Sequence, residues 1–303
     1  MYPRGLPLLK RLVYAACDPF LRVRVRPGEL RPSTRRQATD SVGLSVSIVS
    51  PSLNQGAFLE RTIASVVNQH YPALEYVVQD GGSSDASLSI LKQHGPELTF
   101  WESRPDRGQS AAINAGFRRT IGAIMAYLNS DDILFPGALR YVSGYFAAHP
   151  DIHVVYSHGL VIDEHDQPLV LVLLPRHSDR ALRSYDFVPQ PTLFWRRSLW
   201  EAVGSHLDES LHYAMDWDLL LRFLDVGARF ARLPTFLAGF RLHDAQKTLN
   251  MRHLGSSEVA RLRRFYARRG VSFAEVVVRS SPHLLRRALF TAAYRLGGRI
   301  EFP

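Results

Sequence analysis

The hydrophobic positions of this chain change period several times, and each change marks an element. Leu44–Val49 alternates apolar and polar residues for most of its length, as a strand does, then breaks into Ser50-Pro51-Ser52-Leu53-Asn54-Gln55-Gly56, whose polar, Pro and Gly content predicts a loop. Leu59, Ile63, Val66 and Val67 then recur at helical spacing, and Leu74–Val78 reads as a second strand running into Gln79-Asp80-Gly81-Gly82-Ser83-Ser84-Asp85. Strand, loop, helix, strand is a βαβ unit with right-handed parallel pairing. A third apolar run, Ile124–Leu128, stops abruptly at Asn129-Ser130-Asp131-Asp132, and a helix is expected from Pro136-Gly137. Pro51, Asp80 and Asp131 each fall at the C-terminal end of a strand, which is where open α/β sheets hold their ligands. The expected fold class is therefore α/β, with a mixed, mostly parallel Rossmann-like sheet flanked by helices.

Farther along, Tyr213-Ala-Met-Asp216-Trp217-Asp218-Leu-Leu-Leu-Arg222 opens a strongly apolar helix with Trp217, Leu220, Leu221 and Leu224 on its inner side. Acids in a first helical turn complement the helix dipole, so capping is a sufficient reading of Asp216 and Asp218 taken alone. Arg241-Leu242-His243 follows an apolar strand containing Phe236, Leu237 and Phe240. The adjacent carboxylates of Asp131 and Asp132 repel unless solvated or neutralised. A hard divalent cation with oxygen ligands, also able to grip a diphosphate, suits such a pair; a solvated Asp-Asp turn is the alternative. The first loop has no G-x-G-x-x-G, and no Walker-type G-x-x-x-x-G-K-[ST] occurs, so neither a dinucleotide fingerprint nor a P-loop is supported.

Four segments, taken in order, resemble the successive motifs of the family-2 glycosyltransferases: Ser47–Asn54, Gln79–Asp85, Pro105-Asp-Arg-Gly-Gln-Ser-Ala-Ala-Ile-Asn-Ala-Gly116 and Leu128–Asp132. The resemblance spans roughly residues 44 to 250. It implies a GT-A fold, a nucleotide-diphosphate sugar donor and inversion at the anomeric carbon. By that likeness Asp80 meets the nucleobase, with Pro51 and Asn54 lining the same pocket. Arg107, Gln109, Asn129 and Ser130 are expected on the donor sugar, ribose or phosphates. Asp131, with Asp132 and His243, is expected to hold Mg²⁺ or Mn²⁺. Asn129 departs from the family's Asp-x-Asp: its amide forms hydrogen bonds but brings no charge. The same register makes Asp216 the catalytic base and Asp218 a neighbour that orients or caps, and it puts Gln190 and Trp217 on the acceptor side. A single displacement needs one carboxylate to take the acceptor proton, with a cation to neutralise the leaving diphosphate.

Composition narrows the setting. With 303 residues, 46% of them hydrophobic, the chain can bury a substantial core. One cysteine, Cys17, leaves no intrachain disulfide and fits a reducing compartment. No apolar run is long enough to span a membrane and no cleaved leader is evident, so a cytoplasmic protein is expected. Residues 1–43 hold nine Lys/Arg against three Asp/Glu, and residues 256–303 hold ten Arg against three Glu. These bounds divide the chain into a basic N-terminal extension (1–43, with an Arg- and Pro-rich linker near 24–41), a catalytic domain (44–255) and a basic helical segment (256–303). In the last, Leu285, Ala288, Leu289, Ala292 and Leu296 share one helical face, which suits either packing on the domain or peripheral attachment to an anionic membrane surface. An acidic core between basic flanks argues against nucleic acid as partner. The acceptor class expected is a saccharide or lipid-linked saccharide of a bacterial surface polysaccharide. Two rivals remain: a sugar nucleotidyltransferase, which would need a glycine-rich basic first loop, and a non-catalytic binding relative, which would have lost its carboxylates.

Overall fold

The computed structural model describes residues 43–247 and 252–296. The expected N-terminal extension and its linker lie outside them. Strands β1 (Val46–Ser52), β2 (Leu74–Asp80), β3 (Phe100–Ser103) and β4 (Ile124–Tyr127) pair in parallel in the order β3-β2-β1-β4. The sheet continues through β8 (Phe194–Arg196), β6 (Val154–Ile162), β9 (Phe230–Arg241) and β5 (Ile133–Leu134), while β7 (Pro168–Val172) forms a hairpin with β6. β8 lies antiparallel to β4 and β6, whereas β9 runs parallel to β6, so the sheet is mixed with a parallel half first in sequence.

Period-2 alternation sends successive side chains of these strands into two cores. Val49 and Val77 enter the one that also holds Ile113 and Phe117 of α3 (Gln109–Phe117) and most of the apolar side of α7 (Met215–Asp225). Val46, Ile48, Tyr76 and Val78 enter the other, with Leu59, Ile63 and Val66 of α1 (Leu59–Val67) and Leu139, Val142 and Phe146 of α4 (Ala138–Ala148). The remaining helices are α2 (Ser87–His94), α5 (Asp179–Leu182), α6 (Arg197–Ala202), α8 (Arg252–Ala267) and α9 (Phe273–Arg295).

Small residues let α3 lie directly on the sheet. A Cβ on Gly116 would stand 2.4 Å from Val49 Cγ1, so only glycine permits that approach. Its seating delivers the helix N-terminus, and Gln109 with it, to the ends of the parallel strands. β5 makes a second tie: its pairing of Ile133 with Gly239 of β9 clamps the segment after β4 onto Arg241. The boundary expected at 255/256 falls inside α8, and both C-terminal helices pack on the body.

Candidate active site

The strand ends open onto a cavity of about 760 Å³. Its walls include Pro51, Leu53 and Asp106 on the β1–β3 side, Gln109, Asn129, Ser130 and Asp131 at the centre, and Asp186, Gln190, Asp216 and Lys247 opposite. Asn54, Asp80, Arg107 and Asp132 are not among the wall residues.

Asp80 is buried, and its carboxylate is consumed by its own loop and by the end of β3. Oδ2 accepts from the Ser83 amide at 2.9 Å and from Ser103 Oγ at 2.6 Å, and Oδ1 accepts from Ser83 Oγ at 2.5 Å. Asn54, left-handed at φ 53°, joins the first loop to the second: its amide donates to Ser83 Oγ at 2.7 Å and its Oδ1 accepts from the Ser84 amide at 2.9 Å. In this arrangement Asp80 and Asn54 shape the loops that border the cavity. Arg107 is exposed and ion-paired with Glu209 at 2.7 Å.

The two adjacent aspartates point in different directions. Asp131 lines the cavity, and its Oδ2 lies 2.9 Å from Nε2 of His243, a buried side chain packed against Phe58. Asp132 is fully buried; its Oδ1 accepts from the Arg241 amide at 2.9 Å, which follows from the β5–β9 clamp. Burial, and next the neighbouring Asp131, raise its pKa well above the usual aspartate range. Arg241 is equally buried: Nε donates to the Asp131 carbonyl at 2.6 Å and Nη1 pairs with Asp166. It therefore fixes the chain that carries Asp131 and His243.

Asn129 sits in a directional chain of polar groups across the cavity floor. Lys247 Nζ donates to Gln109 Oε1 at 2.6 Å, and Gln109 Nε2 donates to Asn129 Oδ1 at 2.6 Å. Asn129 Nδ2 then donates to Gln190 Oε1 at 3.1 Å, and Gln190 Nε2 to the Tyr127 carbonyl at 2.9 Å. Each amide accepts from one neighbour and donates to the next. A carboxylate at 129 has no proton to give Gln190, so the asparagine that departs from the family pattern is what this chain of bonds requires.

On the opposite wall, Asp216 and Asp218 separate as clearly as the first pair. Asp218 is buried, with Oδ2 accepting from Arg222 Nε at 2.9 Å and Oδ1 from Tyr266 Oη of α8 at 2.8 Å. Asp216 is half-buried on the cavity wall, and its Oδ1 accepts from the adjacent Trp217 amide at 2.9 Å. Enclosure by the cavity walls raises its pKa above the aspartate range; Lys247 opposes that rise and Glu258 adds to it. Trp217 touches the cavity but is core: it is 1% exposed, and its indole N–H donates to the Leu182 carbonyl at 2.8 Å.

Three wall or support residues were not evident in the sequence. Asp186 opens onto the cavity, and enclosure, and next Asp216, push its pKa upward. Lys247 lies four residues after His243, and desolvation lowers its pKa against the opposing pull of Asp216. Glu258, from α8, accepts the amides of His212, Tyr213 and Ala214 at 2.8, 2.8 and 2.9 Å, so it caps the loop that launches α7 and sets Asp216 in place. The only available signals were the polar residues flanking motifs already noted: Asp186 before Gln190-Pro191, and Lys247 after Arg241-Leu-His243.

Among the described residues, no group of three or more His, Cys, Asp and Glu is arranged to hold a metal ion. The two donors that do meet, Asp131 Oδ2 and His243 Nε2, fit a cation that takes its other ligands from phosphates and water, the usual habit of Mg²⁺ at nucleotide sites.

Residues 47–185 match the family described as Glycosyl transferase family 2. Over that segment, just under half of its length, the chain resembles a family-2 glycosyltransferase domain. It is 26% identical over 212 residues to an uncharacterised glycosyltransferase of Rickettsia typhi, a match covering 67% of this chain and 65% of that protein. It is also 29% identical over 186 residues to the chondroitin synthase of Escherichia coli, covering 60% of this chain and 27% of that one. The chain thus spans less than two thirds of the length of either relative. Among solved structures, the mannosyltransferase PcManGT of Pyrobaculum calidifontis, in complex with GDP-Man and Mn²⁺, superposes with a TM-score of 0.61 at 18% identity, covering 96% of this chain and 84% of that one. That likeness shows the GT-A fold.

Proposed function

We propose that this chain transfers a sugar from a nucleoside-diphosphate sugar to a hydroxyl of a saccharide or lipid-linked saccharide, with inversion, and that Asp216 is the base. The observation that carries the reading is the placement of two unlike carboxylates in one cavity. Asp131, beside His243, faces it from the end of β4, while Asp216 faces it from the start of α7 with, among the described residues, no basic side chain bonded to it. Asp131 and His243 would hold a divalent cation, which when bound neutralises the charge that develops on the leaving diphosphate. The Mn²⁺ in the mannosyltransferase complex supports such a requirement.

The chain's own residues then divide the work. Pro51, Leu53 and Asp106 border the end of the cavity proposed for the nucleobase, with Asp80 and Asn54 holding that border in shape. Ser130 and the Gln109–Asn129–Gln190 chain offer neutral hydrogen-bonding groups where ribose and donor sugar would lie. Arg107 would join them by exchanging Glu209 for a phosphate. Asp216 takes the proton from the attacking hydroxyl; its raised pKa makes the ionised form a stronger base than an exposed aspartate. Lys247, within electrostatic reach of Asp216, holds that ionised form and loses its partner charge when the proton arrives. Gln190 and the surface around Asp186 form the wall nearest the incoming acceptor. Chondroitin synthase among the relatives supports a polysaccharide setting.

The test is a panel of UDP-, dTDP- and GDP-sugars scored for cation-dependent hydrolysis and thermal stabilisation. One donor should respond strongly with Mn²⁺ or Mg²⁺ and weakly with EDTA. A response equal for all donors and indifferent to EDTA defeats the reading.

A further inference from the structure

The helix α9 is attached to the protein by the wrong face for a soluble helix. Ser280, His283 and Thr291 point inward and are at most 4% exposed. Val278, Leu285, Leu289 and Leu296 point outward at 63, 62, 61 and 89% exposure. The inward contacts are specific: Tyr185 Oη and His283 Nδ1 lie 2.7 Å apart, Arg287 Nε donates to the Leu173 carbonyl at 3.2 Å, and Phe290 stacks on His158 with centroids 5.5 Å apart. These contacts fix the rotation of the helix. A lone surface helix would turn its leucines in; this one instead buries Ser280 Oγ and Thr291 Oγ1, which have no hydrogen-bond partner among the described residues. Contiguous exposed apolar surface of this kind marks a contact site.

The two C-terminal helices carry mostly positive charge. The described parts of α8, α9 and the turn between them hold two acids, and both are occupied: Glu258 on three backbone amides, Glu275 on Arg269 and Arg279. Arg261, Arg264, Arg268, Arg269 and Arg286 are exposed. A second copy docking face to face would set this cationic surface against itself, which like charges resist. An anionic surface is the complement. The helix is 23 residues, about 35 Å, long enough to lie along a bilayer interface with its leucines among the acyl chains and its arginines at the headgroups.

We propose that the outer face of α9 docks on an anionic lipid bilayer and thereby brings the cavity to acceptors anchored there. The link to the cavity is a single strand thick. On β7, Val170 and Val172 line the cavity, while Leu171 and the next residue but one, Leu173, pack with Phe290 and Tyr294 of α9. The cavity wall behind the helix is apolar (Leu160, Val170, Val172, Val188, Leu242), as suits the lipid-proximal part of an amphiphilic acceptor. The acceptor class, a hydroxyl on a lipid-linked molecule, rests on the proposed glycosyl transfer; the docking face does not.

The experiment is flotation of the full chain with phosphatidylcholine vesicles, with and without phosphatidylglycerol, at low and high salt. Wild type should float with the anionic vesicles only, and less as salt rises. Leu285→Glu combined with Leu289→Glu should cut the bound fraction by about tenfold or more, since two leucines no longer enter the apolar layer. Arg286→Glu, which leaves the leucines untouched, should weaken binding by a few-fold and reduce its salt dependence. Wild type that stays with the soluble fraction, or both variants floating as well as wild type, overturns the proposal. So does a dimer in sedimentation velocity that the double glutamate variant breaks, which would assign the face to a second copy. Thermal stabilisation by a nucleoside diphosphate with Mn²⁺ is measured in parallel on every variant. A chain that floats but is not stabilised keeps the docking face and loses the transferase reading; one that is stabilised but does not float does the opposite.

Discussion

The two sides of the cavity treat their acids differently. On the β1–β4 side, Asp80, Asp85 and Asp132 accept from backbone amides or hydroxyls of neighbouring loops, so their charge is spent on shape. Across the cavity, among the described residues Asp186 and Asp216 accept from amides within two residues of themselves, and both open onto the space where substrate would lie. The proposed donor side is a preformed cradle with two acids on the cavity wall, Asp131 beside His243 and Asp106 on the Gly108 amide of its own loop. The proposed acceptor side keeps two carboxylates in a confined place, one of them offset by Lys247, which costs stability and is the usual mark of chemistry.

The comparison is most vulnerable at Asp216. Asp216→Asn preserves shape and removes basicity, so transfer should fall by roughly 10²–10⁴ while nucleoside diphosphate affinity stays unchanged in calorimetry. Equal losses of binding and turnover would move Asp216 to the cradle side. Asp131→Ala should come next, weakening cation affinity in the presence of nucleotide by about 10–100-fold; His243→Ala should follow in the same titration with a smaller loss.

Glu258→Gln weakens three charge-assisted bonds to the loop before α7, and urea denaturation should register about 1.5–3 kcal/mol. The pH dependence has a definite sign. Those amides hold the Glu258 pKa below the usual glutamate range, so its contribution is complete above that range and disappears as acid takes pH down through the lowered folded value. Asp216 behaves oppositely. Its pKa is raised and the deprotonated form is the base, so the acid limb of the transfer profile should lie above the ordinary aspartate range. Lys247→Met deletes the positive charge that restrains that rise and should move the limb to still higher pH; a limb that stays put would remove Lys247 from the account.

The smallest effect is expected at Asp218. Its oxygens serve Arg222 and Tyr266, so Asp218→Asn should cost about 1–3 kcal/mol of stability and leave transfer within a few-fold of wild type. Loss of transfer in that variant with Asp216→Asn active would reverse the roles of the two acids.

Local patterns foretold the strands of the parallel half well. Apolar runs of parallel strands end sharply at polar loops, so β1, β2 and β4 and the residues at their tips were readable from spacing alone. What spacing did not reveal is which of two neighbouring acids looks into the cavity. That choice between Asp131 and Asp132 depends on the β5–β9 pairing, and between Asp216 and Asp218 on Tyr266 of α8, contacts made across 109 and 48 residues. Glu258 and Lys247 escaped for the same reason: each acts on a segment remote in sequence. The stripe of Leu285 and Leu289 was visible as a helical face, but its outward direction is set by His283 and Phe290, which anchor the opposite side.

The fate of the anomeric carbon bears most directly on the whole account. With a responsive nucleotide sugar, NMR of the anomeric proton in the product, or in the free sugar released to water before mutarotation, reports whether configuration is inverted. One displacement driven by Asp216 as base gives inversion. Retention would mean that Asp186 or Asp216 attacks the sugar itself, and would contradict the division of the cavity into a cation-held donor and a single base.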